Sequence, residues 1–207
     1  YGVLGNNELD EAWLDEGFTT SQTRDYMVDR YGSIGFDIDS DDWVNSFQRK
    51  FWKYTDKLHR DQWYSIRFIT SGYDEPISRK SYNFKNGSAY YQNAYSKPSL
   101  MLNELKYILG DSLYYRSIQN YFSEWKFKHV SEDRFIHSVE KTTGEKLGWF
   151  FDAWLHDTRI MDYEIDYWSK KKALDGSYDI ELKINNLGQR EMPLLIETEL
   201  ENGDKIM

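Results

Sequence analysis

Between residues 12 and 31 the apolar residues Trp13, Leu14 and Phe18 fall at helical spacing, and the run stops at Gly32. The pattern predicts a helix with a buried stripe, yet Asp15 and Glu16 stand inside that stripe. "SIGFDIDSDDW" then reads as a loop. Asp42 is placed to cap a second helix carrying Val44, Phe47, Phe51, Trp52 and Leu58 on one face. From Ile69 to Ala94 the periodicity is lost and an irregular connection is expected. Connections longer than about 12–15 residues are uncommon unless they serve a site.

Helical spacing returns in "YSKPSLMLNELKYILGD". Ser96 is placed as an N-cap, Pro98 suits a first turn, and Leu102, Leu105 and Leu109 mark the buried face. Gly110 stops this helix and Asp111 can cap the next, whose apolar positions are Leu113, Ile118, Phe122 and Trp125. Ser131, Glu132 and Asp133 start another, carrying Phe135, Ile136 and Val139. A last helix covers about "GEKLGWFFDAWLHD". Short connections between these helices imply antiparallel neighbours in a bundle.

The period changes near Arg159. "YEIDYW" alternates, and in "SYDIELKI" Tyr178, Ile180, Leu182 and Ile184 share one face against Asp179, Glu181 and Lys183. "NNLG" reads as a turn, "MPLLIETEL" as another strand, and Asn202-Gly203 as a hairpin turn. The expected fold is therefore mainly α. Residues 1–158 are expected to form a helical domain, and residues 159–207 the first strands of an antiparallel β domain, cut short at Met207.

Composition narrows the function classes. Aromatic residues make up 17% and prolines number only 3 in 207, which favours packed elements over disorder. A net charge of -9 argues against nucleic acid or an anionic membrane as the main partner. With no cysteine, disulfides, thiolate metal sites and a cysteine nucleophile are excluded. No apolar run approaches the ~20 residues of a membrane-spanning helix, and no signal peptide is visible. Cytoplasmic and extracytoplasmic locations both fit, and nothing fixes an oligomeric state.

Among chemistry-bearing residues, Glu16 has Trp13 and Thr20 as helical neighbours, so its face is not purely solvent. It reads either as a helix-start carboxylate favoured by the dipole or as a metal ligand whose charge needs compensation. The four histidines, His59, His129, His137 and His156, show no metal-ligand spacing, and H-E-x-x-H is absent. His129 reads as a loop residue and His137 as a helix-surface residue. The acidic run Asp37–Asp42 lacks the glycine and distal glutamate of a calcium loop and reads as a solvated segment.

"WLDEGF", followed by Thr19, resembles the W-L-N-E-G-F-A segment of the M1 family of gluzincin metallopeptidases. In that family zinc is held by two histidines of H-E-x-x-H and by a glutamate about 18 residues later. The resemblance makes Glu16 the third zinc ligand and places H-E-x-x-H a few residues before Tyr1. "YSKPSLMLNEL" has the frame of the family's Y-E-K-G-A, with Pro98 for glycine; this makes Tyr95 the catalytic tyrosine, set just before a helix N-terminus. The stretch from "LGDSLYY" to "FFDAWLHDT" is similar to the family's helical segment in order and spacing, and the β stretch to the sandwich after its catalytic domain. Two departures stand out. Thr23 occupies the position of an acidic residue common two turns after the ligand, and "GYDEPISRKS" replaces a His-Pro-[IV] element.

The resemblance implies zinc-dependent hydrolysis of peptides, most often removal of N-terminal residues, with Zn2+ as cofactor and peptides as partners. Lys97 is a positioning candidate, or else pairs with a surface carboxylate; Thr20 and Thr23 are the hydroxyls placed to support the ligand. By themselves these residues are expected to be inactive. The residues also accommodate a non-catalytic peptide- or glycan-binding module that uses its aromatics, or an endopeptidase on the same scaffold. An H-E-x-x-H at the expected offset upstream separates the enzyme from the binding module.

Overall fold

The computed structural model describes residues 2–31, 57–200 and 202–206. It divides into two compact units, Tyr1–Thr158 and Arg159–Met207. The helix expected from Asp42, the loop before it and the acidic run Asp37–Asp42 lie outside the described residues.

In the first unit a short helix, α1 (Glu8–Glu11), leads into α2 (Trp13–Tyr31). Asn7 caps α1 through its side chain, which accepts from the Leu9 N–H at 3.2 Å. Trp13 and Leu14 are buried at the start of α2, as the apolar spacing predicts, and Phe18, the third residue of the stripe, is half-buried. After α3 (Lys57–Thr70) the chain makes a 3-10 turn at Ser81–Asn83 and enters α4 (Gly87–Tyr91). The connection expected to be irregular from Ile69 to Ala94 thus ends eight residues earlier, at Asn86, because the Asn86 side chain accepts from the Ala89 N–H (2.9 Å) and starts the helix there.

That early start overturns the capping role expected for Ser96. From Gly87 the helix passes through a π turn, Gln92–Ser96, directly into α5 (Lys97–Trp125). Ser96 has helical backbone angles and makes no capping bond, since the turn before it already supplies the carbonyls its neighbours need. The widened turn ends two residues before Pro98, whose ring would otherwise clash with the carbonyl one turn back. Gly110, with φ 71° and ψ 158°, breaks the helical backbone inside α5, as its glycine predicted.

Beyond Gly110 the buried positions are Tyr114, Ser117 and Tyr121, whereas Phe122 is 45% exposed. The face expected from Leu113, Ile118, Phe122 and Trp125 is therefore rotated toward the tyrosines. Their rings supply the larger buried area in this half of the helix. α6 (Glu132–Thr143) buries Phe135 and Val139, and α7 (Gly148–Leu155) buries Phe150, Phe151, Trp154 and Leu155. Ser131 stands at the cap position of α6 without a side-chain bond. The Glu11 carboxylate reaches across instead to accept the Glu132 N–H at 3.0 Å.

Phe135 is the hub of the core. Its ring lies 4.9 Å from Phe18, 5.1 Å from Tyr121, 5.7 Å from Phe151 and 6.0 Å from Trp13, each edge to face. It thereby ties α2, α5, α6 and α7 together. Among the described residues no helix is long and apolar enough to cross a membrane.

The second unit holds two antiparallel ribbons among its described residues. β1 (Tyr163–Lys172) pairs with β2 (Tyr178–Asn186), setting Trp168 opposite Leu182 and Ile165 opposite Ile184. Asn185 and Asn186 stay in the ladder, so the turn expected at "NNLG" comes later, at Leu187 and Gly188. There the backbone closes on Ile160, whose carbonyl would lie 2.3 Å from a Cβ at Gly188. Only Thr198–Glu199 of "MPLLIETEL" forms a strand, β3, which pairs with β4 (Lys205–Ile206) across the Asn202-Gly203 turn. Earlier pairing fails because the Met192 N–H is taken by the Tyr163 hydroxyl at 2.9 Å and Pro193 has no N–H to offer.

Truncating the hub as Phe135→Ala is expected to cost about 3–5 kcal/mol of helical-unit stability. Urea unfolding followed by tryptophan fluorescence measures it, and a loss below about 1 kcal/mol would show that the ring is not the hub.

Candidate functional site

α2 and the π turn meet at a glycine. A Cβ at Gly17 would lie 2.4 Å from the Pro98 Cβ and 3.2 Å from its Cγ, so only a residue without a side chain lets the two backbones come this close. The residue before Gly17 is Glu16, and Tyr95 lies in the π turn three residues before Pro98. The approach therefore sets a carboxylate and a phenol, 79 residues apart in sequence, face to face.

The Tyr95 hydroxyl donates to Glu16 Oε1 at 2.6 Å. Both side chains are half-buried. Tyr95 does not precede a helix N-terminus, because α4 runs straight through the π turn. Its position owes nothing to terminal N–H dipoles and everything to the packing of α2 on the turn.

Two further tyrosines wall Tyr95. Tyr91 stacks on it at 4.9 Å with an interplanar angle of 18°, and Tyr90 meets it edge to face at 6.4 Å. Burial, and then the negative charges of Glu16 and Glu8, hold the Tyr90 phenol above its ordinary pKa. Asp15, beside Glu16, is likewise held above its ordinary pKa, chiefly by burial, with the negative charges of Glu16 and Glu8 adding to it. Sequence reasoning did not single out Tyr90 and Tyr91. Their spacing of five and four residues before Tyr95 was the available signal, since residues four apart on a helix are neighbours.

The other expected residues fall as follows. The Thr20 hydroxyl donates to the backbone carbonyl of Glu16 at 2.7 Å, so it bonds the helix rather than the carboxylate. Thr23 is exposed and lines a cleft of about 520 Å³ with Asp15, Phe18, Thr19 and Tyr121. Neither Glu16 nor Tyr95 lines that cleft. Lys97 is buried, not at the surface, and its ammonium donates to Asp74 Oδ1 at 2.7 Å and to the Glu75 carbonyl at 3.1 Å. Asp74 is the residue the sequence reading passed over in "GYDEPISRKS".

His129 is exposed beside the bridge to Gly5, His137 is exposed on α6, and His156 Nε2 lies 2.8 Å from Glu132 Oε1. No group of three or more metal-binding side chains occurs among the described residues.

Residues 3–154 match the Peptidase family M1 domain. That span contains Glu16, Tyr95 and Lys97. No curated protein matches the chain.

Gly17→Ala is expected to destabilise the helical unit by about 1–3 kcal/mol, because the new methyl has only the rigid Pro98 ring to push against. Thermal unfolding measures the loss. In the same variant the solvent accessibility of Glu16, read by carbodiimide labelling, rises; an unchanged melting point and labelling rate would show that the close approach carries no load.

Proposed function

The chain belongs to peptidase family M1, and from that premise we propose that it is part of a zinc aminopeptidase, with Glu16 as one metal ligand and Tyr95 as the oxyanion donor. The observation supporting this most is the 2.6 Å bond between the Tyr95 hydroxyl and Glu16 Oε1, which pairs the two residues that the family frame selects independently.

Held by Glu16 together with two histidines upstream of residue 1, a zinc ion would supply Lewis acidity and a water of lowered pKa. This chain's own residues do the rest. Glu16 brings its carboxylate from a helix locked by Trp13 and Phe18 in the aromatic core, which stack at 6.4 Å. Tyr95 holds a proton within hydrogen-bond reach of that carboxylate. Turned toward the carbonyl oxygen of a peptide seated beside Glu16, the phenol donates to the oxyanion that develops as the carbonyl is attacked. Donors in that role contribute roughly 3 kcal/mol. Tyr90 and Tyr91 limit the swing of the Tyr95 ring and present apolar faces to a peptide lying over it. Removal of N-terminal residues rather than internal cleavage follows the family's commonest activity.

Two measurements test the reading. Isothermal titration of residues 1–207 with Zn2+ is expected to show no tight stoichiometric binding, since one arm is too few; tight binding would overturn the ligand set. In the peptidase carrying the upstream residues, Tyr95→Phe is expected to lower kcat roughly 100-fold or more with KM little changed. Near-normal turnover would remove Tyr95 from its role. H-E-x-x-H at the expected offset upstream of Tyr1 belongs to the same reading, and its absence favours a binding module.

A further inference from the structure

We infer that Lys97 and Asp74 form a buried ionic latch that positions Tyr95, making this pair positioning residues for the reaction proposed above, on which the inference rests. Lys97 is one of the largest fully buried side chains, at 1% exposure, and the Asp74 side chain is 8% exposed. Taking both charges out of water costs several kcal/mol per ion before their attraction offsets it. An apolar side chain at position 97 would fill the space without that cost. What the ammonium adds is direction: it bonds the Asp74 carboxylate at 2.7 Å and the Glu75 carbonyl at 3.1 Å, two fixed acceptors on one loop.

The loop it grips is itself held. The buried Glu75 carboxylate pairs with Arg79 at 3.1 Å and accepts the Lys85 N–H at 2.9 Å. Ile77 is buried, and the Ser78 N–H donates to the Leu155 carbonyl at 2.9 Å. Lys97 therefore ties the helix to a rigid anchor and not to a free strand of chain.

The helix needs an anchor at this point. Tyr95 lies in a π turn, where the Lys97 N–H reaches back to the Gln92 carbonyl instead of making the regular helical bond. The turn is held from one side by Pro98 against Gly17 and from the other by Lys97 against Asp74. A shift of about 1 Å in a catalytic group can cost roughly 100-fold in rate. With the latch open, the phenol loses its fixed distance to Glu16 while Glu16, on the helix held by Trp13 and Phe18, stays in place.

The test uses Lys97→Met and Asp74→Asn, alone and combined with Tyr95→Phe, in the peptidase carrying the upstream residues. Each single variant is expected to lower kcat roughly tenfold or more per folded molecule with KM within about twofold, and Lys97→Arg to recover part of the loss. In the Tyr95→Phe background the same substitutions are expected to change kcat by less than about twofold, because the group they position is gone. Equal losses with and without the Tyr95 hydroxyl would overturn the latch and leave a merely structural pair. Asp74→Asn keeps the side-chain size and serves if Lys97→Met does not fold. On residues 1–207, Asp74→Asn is also expected to speed amide hydrogen exchange across 92–97 by about tenfold or more; an unchanged rate would overturn the inference without any activity measurement. If Tyr95→Phe leaves turnover unchanged, the proposed function and the latch fall together. If Tyr95→Phe is costly and the latch variants are not, the latch alone falls.

Discussion

One close contact organises the helical unit: α2 lies on the π turn at Gly17, where the Pro98 ring leaves no room for a side chain. Glu16 and Tyr95 come within a hydrogen bond because their helices meet there. The proline and the glycine are complementary. Pro98 cannot follow a regular helical turn without a clash, the π turn relieves it, and the ring then occupies the space that Gly17 leaves open.

The aromatic core holds that contact in place. Phe135 takes edge-to-face contacts from α2, α5 and α7 while standing on α6, and Trp13 and Phe18 bracket Glu16 on the same helix. Rings of this size bury much area with few rotatable bonds, so they fix the helix carrying the carboxylate at modest entropic cost. Around this core polar groups also bridge elements: Glu11 accepts the Glu132 N–H, and His156 and Glu132 lie within an ion-pair distance. A carboxylate such as Glu16, flanked by the buried Trp13 ring and the half-buried Phe18 ring, is thus held in position by neighbours that carry no chemistry of their own.

Parts of this arrangement were legible in the chain. The apolar spacing around Trp13 and Leu14 announced α2, and Gly110 broke its helix as a glycine there should. Alternation in "SYDIELKI" gave β2, and Asn202-Gly203 gave its hairpin. The readings that failed were local readings of residues whose partners lie far away. Ser96 looks like a cap only if the helix begins there, and Asn86 had already begun it. Phe122 looks like core only if its face turns inward, and the tyrosines took that face. Met192 looks like strand until the Tyr163 hydroxyl claims its N–H.

By itself the sequence determined most of the helical segments and the alternating strand β2, and an order of motifs that resembles an M1 peptidase. Periodicity and residue chemistry are local properties, and the chain states them directly. Only the tertiary structure decided that Tyr95 bonds Glu16 from a π turn and that Lys97 is buried on Asp74. It also decided that Thr20 spends its hydroxyl on the helix backbone. Those outcomes depend on how closely two helices can approach and on which acceptor a buried charge finds, quantities that exist only once distant segments are packed together.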